Sequence, residues 1–130
     1  MIGWILRVLV AAGLLGSAWV HWVVWDDWAG DMAVVGPLFL VNVVAGVVIA
    51  VAVLAWRHPL PALAAIAFGL ATLGAYVLSL TVGFFGVQEQ FATQEELWGV
   101  ITEVACVVFG AALLLPGVRG ARRAPSGAVR

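Results

Sequence analysis

The chain reads as an all-α integral membrane protein, a four-helix bundle with both termini on the cytoplasmic side. Three observations predict it. Hydrophobic residues make up 65% of its 130 positions and charged residues 10%, where a soluble domain carries about a quarter charged. Four apolar runs, each near the ~20 residues that a helix needs to cross a bilayer, fill most of the length. The six basic residues are all arginine and fall on one side of a four-span arrangement, while Asp26, Asp27, Asp31, Glu89, Glu95 and Glu96 fall on the other.

The first span is expected over about residues 4–25, from Trp4 to Trp25. Its one charge, Arg7, is close enough to the end for its guanidinium to snorkel into the headgroups. Arg7 followed by Val8 to Leu15 and the small residues Gly16-Ser17-Ala18 also fits a secretory signal peptide. Against that reading, apolar character continues through Trp19, Val20, Trp22, Val23, Val24 and Trp25. A short acidic turn follows, and the second span is expected over 33–56. It starts either near Met32 with Asp31 as its cap, or at Pro37, a residue suited to a first helical turn because it has no amide proton to leave unsatisfied.

Arg57-His58-Pro59-Leu60-Pro61 makes a tight connection to a third span over 61–86. Val87 to Gln94 is polar, and Thr93-Gln94-Glu95-Glu96 has the pattern of a capping box, opening a fourth span over 95–115. Pro116-Gly117 stops it. Residues 1–118 therefore form the membrane domain, and 119–130, with Arg119, Arg122, Arg123 and Arg130, an Arg-rich cytoplasmic tail expected to be disordered. The Val-rich run Val41 to Val53 shows no alternation, and inside lipid every backbone group must be satisfied, so it reads as helix. Arginines on one side mark that side as cytoplasmic, which places the chain in the inner membrane. Trp22, Trp25, Trp28 and Trp98 then mark the outer interface, and Trp4 and Trp56 the inner one.

Small and polar side chains mark where membrane helices meet. Each span has one such stripe: Gly13, Ser17 and His21; Asn42, Gly46 and Ala50; Ala65, Gly69, Thr72, Tyr76, Ser79, Gly83 and Gly86; Gly99, Glu103, Cys106 and Gly110. A compact bundle follows, with Leu, Val, Ile and Phe turned to lipid. At 1.5 Å per residue, His21 is about 7 Å below Asp26 and Glu103 about 10 Å below Glu96. Asn42, Tyr76 and Ser79 enter the same level, so His21, Asn42, Tyr76, Ser79 and Glu103 are expected to form a polar layer in the outer half. An intramembrane carboxylate costs several kcal/mol unless protonated, paired or hydrated. Glu103 should therefore face inward, with His21 as its partner.

Several chemistries are not indicated. Cys106 is a lone cysteine, which excludes an internal disulfide or thiolate cluster. His21 and His58 fall near opposite membrane faces and cannot share one haem or metal ion, and three exposed acids in a loop without an ordered ligand pattern are most simply solvated. No phosphate loop, nucleophile elbow or zinc-protease motif is present, and no basic, aromatic-rich patch suggests nucleic acid. No cofactor or metal is expected, and the partners are the lipid bilayer and either another membrane protein or a second copy of the chain.

The stretch Ser17 to Val53, with His21, Trp25, the acidic turn, Gly36-Pro37-Leu38-Phe39-Leu40, Asn42, Ala45 and Gly46, resembles a set of small four-span actinobacterial integral membrane proteins. The run Gly74-Ala75-Tyr76-Val77-Leu78-Ser79-Leu80-Thr81, with Gly83 and Phe85-Gly86, fits the same pattern. The lysine-free, Ala/Val/Gly/Arg-rich composition agrees with a GC-rich genome. The resemblance implies a fold and carries no activity. The expected function is a non-enzymatic accessory or interaction subunit; the alternative is a proton-coupled or small-molecule transporter built around Glu103.

Overall fold

The computed structural model describes residues 1–120. Four helices, α1 (Ile2–Asp27), α2 (Val35–Ala55), α3 (Pro59–Thr81) and α4 (Gln94–Leu114), are long and apolar enough to cross a membrane. A single 3-10 turn, Ala29–Asp31, links α1 to α2, and a short α5 (Pro116–Gly120) follows α4. No β-strand occurs among the described residues. Arg119 falls in α5, whereas Arg122, Arg123 and Arg130, and with them most of the expected tail, lie outside the described residues.

Consecutive long helices run in opposite directions, so the bundle has an arginine end, with Arg7 and Arg57, and an acidic end, with Asp26, Asp27, Glu89, Glu95 and Glu96. The small-residue stripes face inward as expected. Ser17, Asn42, Gly46, Ala50, Ala65, Gly69, Ser79, Gly99, Glu103, Cys106 and Gly110 are all buried. Two glycines show why they must be small. A Cβ on Gly46 would lie 2.9 Å from the Leu14 carbonyl oxygen on α1, and one on Gly69 would lie 2.7 Å from the Glu103 carbonyl oxygen on α4. These helices meet backbone to backbone. Large apolar residues are not all turned outward, however: Val10, Leu14, Val53, Phe68 and Leu113 join the buried core.

Helix ends depart from expectation in three places. First, α2 starts at Val35 behind Val34, which offers no side-chain cap; Asp31 lies in the 3-10 turn and Pro37 in the first turn of the helix. Second, α3 ends at Thr81 instead of running to residue 86, because the chain turns back sharply at Gly83 (φ +88°). Phe84 and Val87 pair through two backbone hydrogen bonds across Phe85 (φ 46°) and Gly86 (φ +89°). Positive φ at both central residues is the pattern of a type I′ turn. Gly83 and Gly86 thus serve this turn and do not extend the stripe.

The third departure is Arg7. Its guanidinium does not snorkel outward: the residue is 8% exposed, and Nη1 donates to the carbonyls of Val53 and, at 3.0 Å, Trp56. Those carbonyls belong to the last turn and cap of α2, where helical partners run out and the helix dipole is negative. His58 is also more than a loop residue, since its Nδ1 accepts from the Leu60 amide as the N-cap of α3 and its ring stacks on Trp56 at 4.8 Å. The expected capping box is present at α4: Thr93 Oγ1 accepts from the Glu96 amide and Glu96 Oε2 accepts from the Thr93 amide.

Candidate functional site

Packing is uneven across the bundle. The α1 helix lies along both α2 and α4, and α3 lies along α4, but α2 and α3 share the thinnest of the four interfaces. On the acidic side of Phe68 the small residues Ala45 on α2 and Ala71 and Ala75 on α3 do not fill the space between the helices. A cavity of about 1070 Å³ occupies it, lined also by His21, Phe39, Asn42, Thr72, Tyr76, Ser79 and Glu103. All five residues expected in the polar layer line this one cavity.

Two of them meet directly. His21 Nε2 is 3.9 Å from Glu103 Oε1, an ion-pair distance too long for a hydrogen bond. The other ring nitrogen, Nδ1, lies 2.8 Å from the Ser17 carbonyl oxygen one turn back. A carbonyl only accepts, so Nδ1 carries the hydrogen and Nε2 is the nitrogen presented to Glu103. Ser17 Oγ donates to Glu103 Oε1 at 3.5 Å, and the Phe39 ring packs against the imidazole with centroids 4.8 Å apart.

Asn42 is placed differently. It is 7% exposed, and neither Oδ1 nor Nδ2 has a hydrogen-bond partner among the described residues. It makes no interhelical hydrogen bond among the described residues. A buried amide normally finds partners, because leaving one unsatisfied costs roughly 1–3 kcal/mol. Tyr76 instead reaches toward the mouth, where its hydroxyl donates to Glu96 Oε1 at 3.2 Å, and the Ser79 hydroxyl is spent on the Tyr76 carbonyl at 2.7 Å.

The mouth is acidic. Asp26, Asp27, Glu89, Glu95 and Glu96 line it together with Trp22 and Trp28. Glu96 is held by the Ala92 and Thr93 amides, both at 2.8 Å, in addition to Tyr76. Partial burial and the neighbouring Glu96 carboxylate push the Glu89 carboxyl above its ordinary value. The Glu89 amide and the Gln88 side chain both donate to the Ser79 carbonyl, at 2.9 and 3.0 Å, folding the turn over the end of α3.

Ser17, Phe39 and the Glu89–Glu96 pair are parts of the site that sequence reasoning did not single out. Ser17 was visible only as a small residue in a stripe, and Phe39 as one apolar residue among many. Cys106 is fully buried in the core away from the cavity. The acids of the α1–α2 turn do not gather, with any other His, Cys, Asp or Glu, into a group of three that could hold a metal among the described residues. Fold and site together define a bundle of four candidate membrane spans around a largely apolar cavity into which carboxyl, imidazole and amide side chains are set. No known family model, curated protein or solved structure matches the chain.

Proposed function

We propose that this chain is a non-enzymatic, multi-pass protein of the cytoplasmic membrane, with both termini cytoplasmic, and that its outward-facing cavity binds a small molecule. Arginine segregation supports the orientation. The observation that carries the binding reading is Asn42, buried against the cavity with both polar atoms unpartnered. A site that spends free energy on holding an amide in reserve has a use for it. The reading moves the emphasis from an accessory subunit toward the small-molecule alternative, with Glu103 and His21 as the proton-bearing pair. Coupling of ligand binding to that proton is the step that would make the protein a carrier.

The test uses the full chain in lipid nanodiscs and a neutral probe, 3-(4-bromophenyl)propan-1-ol, whose bromine quenches nearby tryptophan. Trp19, Trp22 and Trp28 line the cavity. Saturable quenching that is lost in Ala75→Trp, a variant that fills the cavity, supports the reading. Quenching that rises linearly with probe, and equally in both proteins, reports partition into lipid and overturns it. Reporter fusions after Gly30, Pro59, Gln90 and Arg130 test orientation and should read outside, inside, outside and inside.

A further inference from the structure

We infer that the cavity selects an organic ammonium ion, a small protonated amine carrying an apolar body about the size of an aromatic ring, seated with its nitrogen toward Glu103. The inference rests on the reading of the cavity as a ligand site and adds the chemistry of the ligand. Three independent features point the same way.

The first is the sign of the charge. Six carboxyl groups line the cavity, from Asp26, Asp27, Glu89, Glu95, Glu96 and Glu103, against the single imidazole of His21. Arg7 and Arg57 line a separate, smaller cavity at the opposite end. Low-dielectric walls focus such a field, which raises the local concentration of cations and excludes anions.

The second feature is the contrast between two glutamates. Glu96 is occupied by short hydrogen bonds from two backbone amides and is structurally committed. Glu103 is 4% exposed and about 10 Å deeper along the helix, yet its contacts to Ser17 at 3.5 Å and His21 at 3.9 Å are both longer than a good hydrogen bond. An ammonium group can approach such a carboxylate to about 2.8 Å. Asn42 is part of the same lining, and a turn of its side chain would bring the unpartnered Oδ1 to the ligand as a further acceptor.

The third feature is the wall. Phe39, Phe68, Tyr76 and Trp22 offer aromatic rings to an apolar body, and a ring face adds cation–π attraction. A phospholipid can also supply an ammonium group, but its ammonium stays at headgroup level with its tails below. To reach Glu103 it would have to invert, and its phosphate would then sit among the carboxylates of the mouth. A free amine does not carry that penalty.

Three probes of one shape and different charge test this in nanodiscs free of amine-bearing lipid: 3-(4-bromophenyl)propylamine, the corresponding alcohol, and the corresponding carboxylate. The amine should bind at least tenfold more tightly than the alcohol, and the carboxylate should not quench saturably. Glu103→Gln should remove the preference for amine over alcohol, and circular dichroism checks that it folds. Should Glu103→Gln not fold, Asn42→Ala takes its place and should narrow the preference for the amine. Equal binding of amine and alcohol overturns the ammonium inference and leaves the cavity reading standing. No saturable binding of any probe by a folded protein overturns both. Adding phosphatidylethanolamine to the discs distinguishes the sources: if it abolishes amine binding, the ammonium comes from lipid and the free-ligand inference fails.

Discussion

The two ends of the bundle solve the same problem, a polar group inside a membrane-sized helix pack, in opposite ways. At the arginine end, Arg7 is buried and its charge is met by the carbonyls of Val53 and Trp56, among Val10, Val53, Ala62 and Leu113. At the acidic end, Asn42 is equally buried with no hydrogen-bond partner among the described residues, and the contacts of Glu103 with Ser17 and His21 are long. One end meets a buried charge with backbone carbonyls, and the other leaves a buried amide without a hydrogen-bond partner among the described residues. The first arrangement suits stability and the second suits recognition.

That contrast can be broken most forcefully at a helix contact shared by both ends. Gly69→Leu should cost more than about 3 kcal/mol in detergent unfolding, since the new side chain enters space held by the Glu103 carbonyl and Val107. Gly74→Leu on the same helix meets nothing within 4 Å and should change stability little. Equal effects at both glycines would mean the wrong face of α3 has been assigned to the interior.

Arg7→Met comes next, with an expected loss of about 2–3 kcal/mol from removing two charge-assisted hydrogen bonds and no change in probe binding at the far end. If binding weakens along with stability, the two ends are not independent. Asn42→Leu should do the reverse, raising stability by about 1 kcal/mol because an unsatisfied buried amide is removed, while weakening probe binding. Loss of stability in Asn42→Leu would show that the amide is satisfied in the membrane after all.

The smallest effect concerns Glu89 in the turn outside the helices. Its carboxyl is raised above the ordinary value of 4.5 by burial and by Glu96. The protonated form is therefore favoured by folding, a contribution present at low pH and lost as pH climbs from 4.5 through the raised value. Glu89→Gln should flatten that part of the stability profile. A profile identical to wild type would mean that the two carboxyl groups do not interact.

Much of this architecture was legible in the sequence because membrane helices are specified by features that act locally. Apolar length gave the four helices, and their small-residue stripes gave the buried faces from Gly13 to Gly110. The matched depth of His21 and Glu103 anticipated their meeting. What was not legible depends on pairs of elements. Arg7 read as a single residue near a helix end snorkels; the open carbonyls of Val53 and Trp56, 46 and 49 residues away, are what capture it. The cavity likewise depends on two helices at once: Ala45, Ala71 and Ala75 are ordinary small residues in sequence, and only where α2 and α3 diverge do they leave volume between them. The end of α3 was placed too late because glycines at positions 83 and 86 continue a helical spacing, while their positive φ belongs to a turn.

The buried contact of Arg7 also orders events during synthesis. Both carbonyls that accept from its Nη1, those of Val53 and Trp56, have been translated once the chain reaches Trp56, before any of α3 or α4 exists. The first two helices can therefore lock together as a hairpin at the moment of insertion, while Ser17 and His21 await Glu103 on α4. Helices three and four then arrive at that hairpin, and the cavity is what remains where α3 closes only partly against α2.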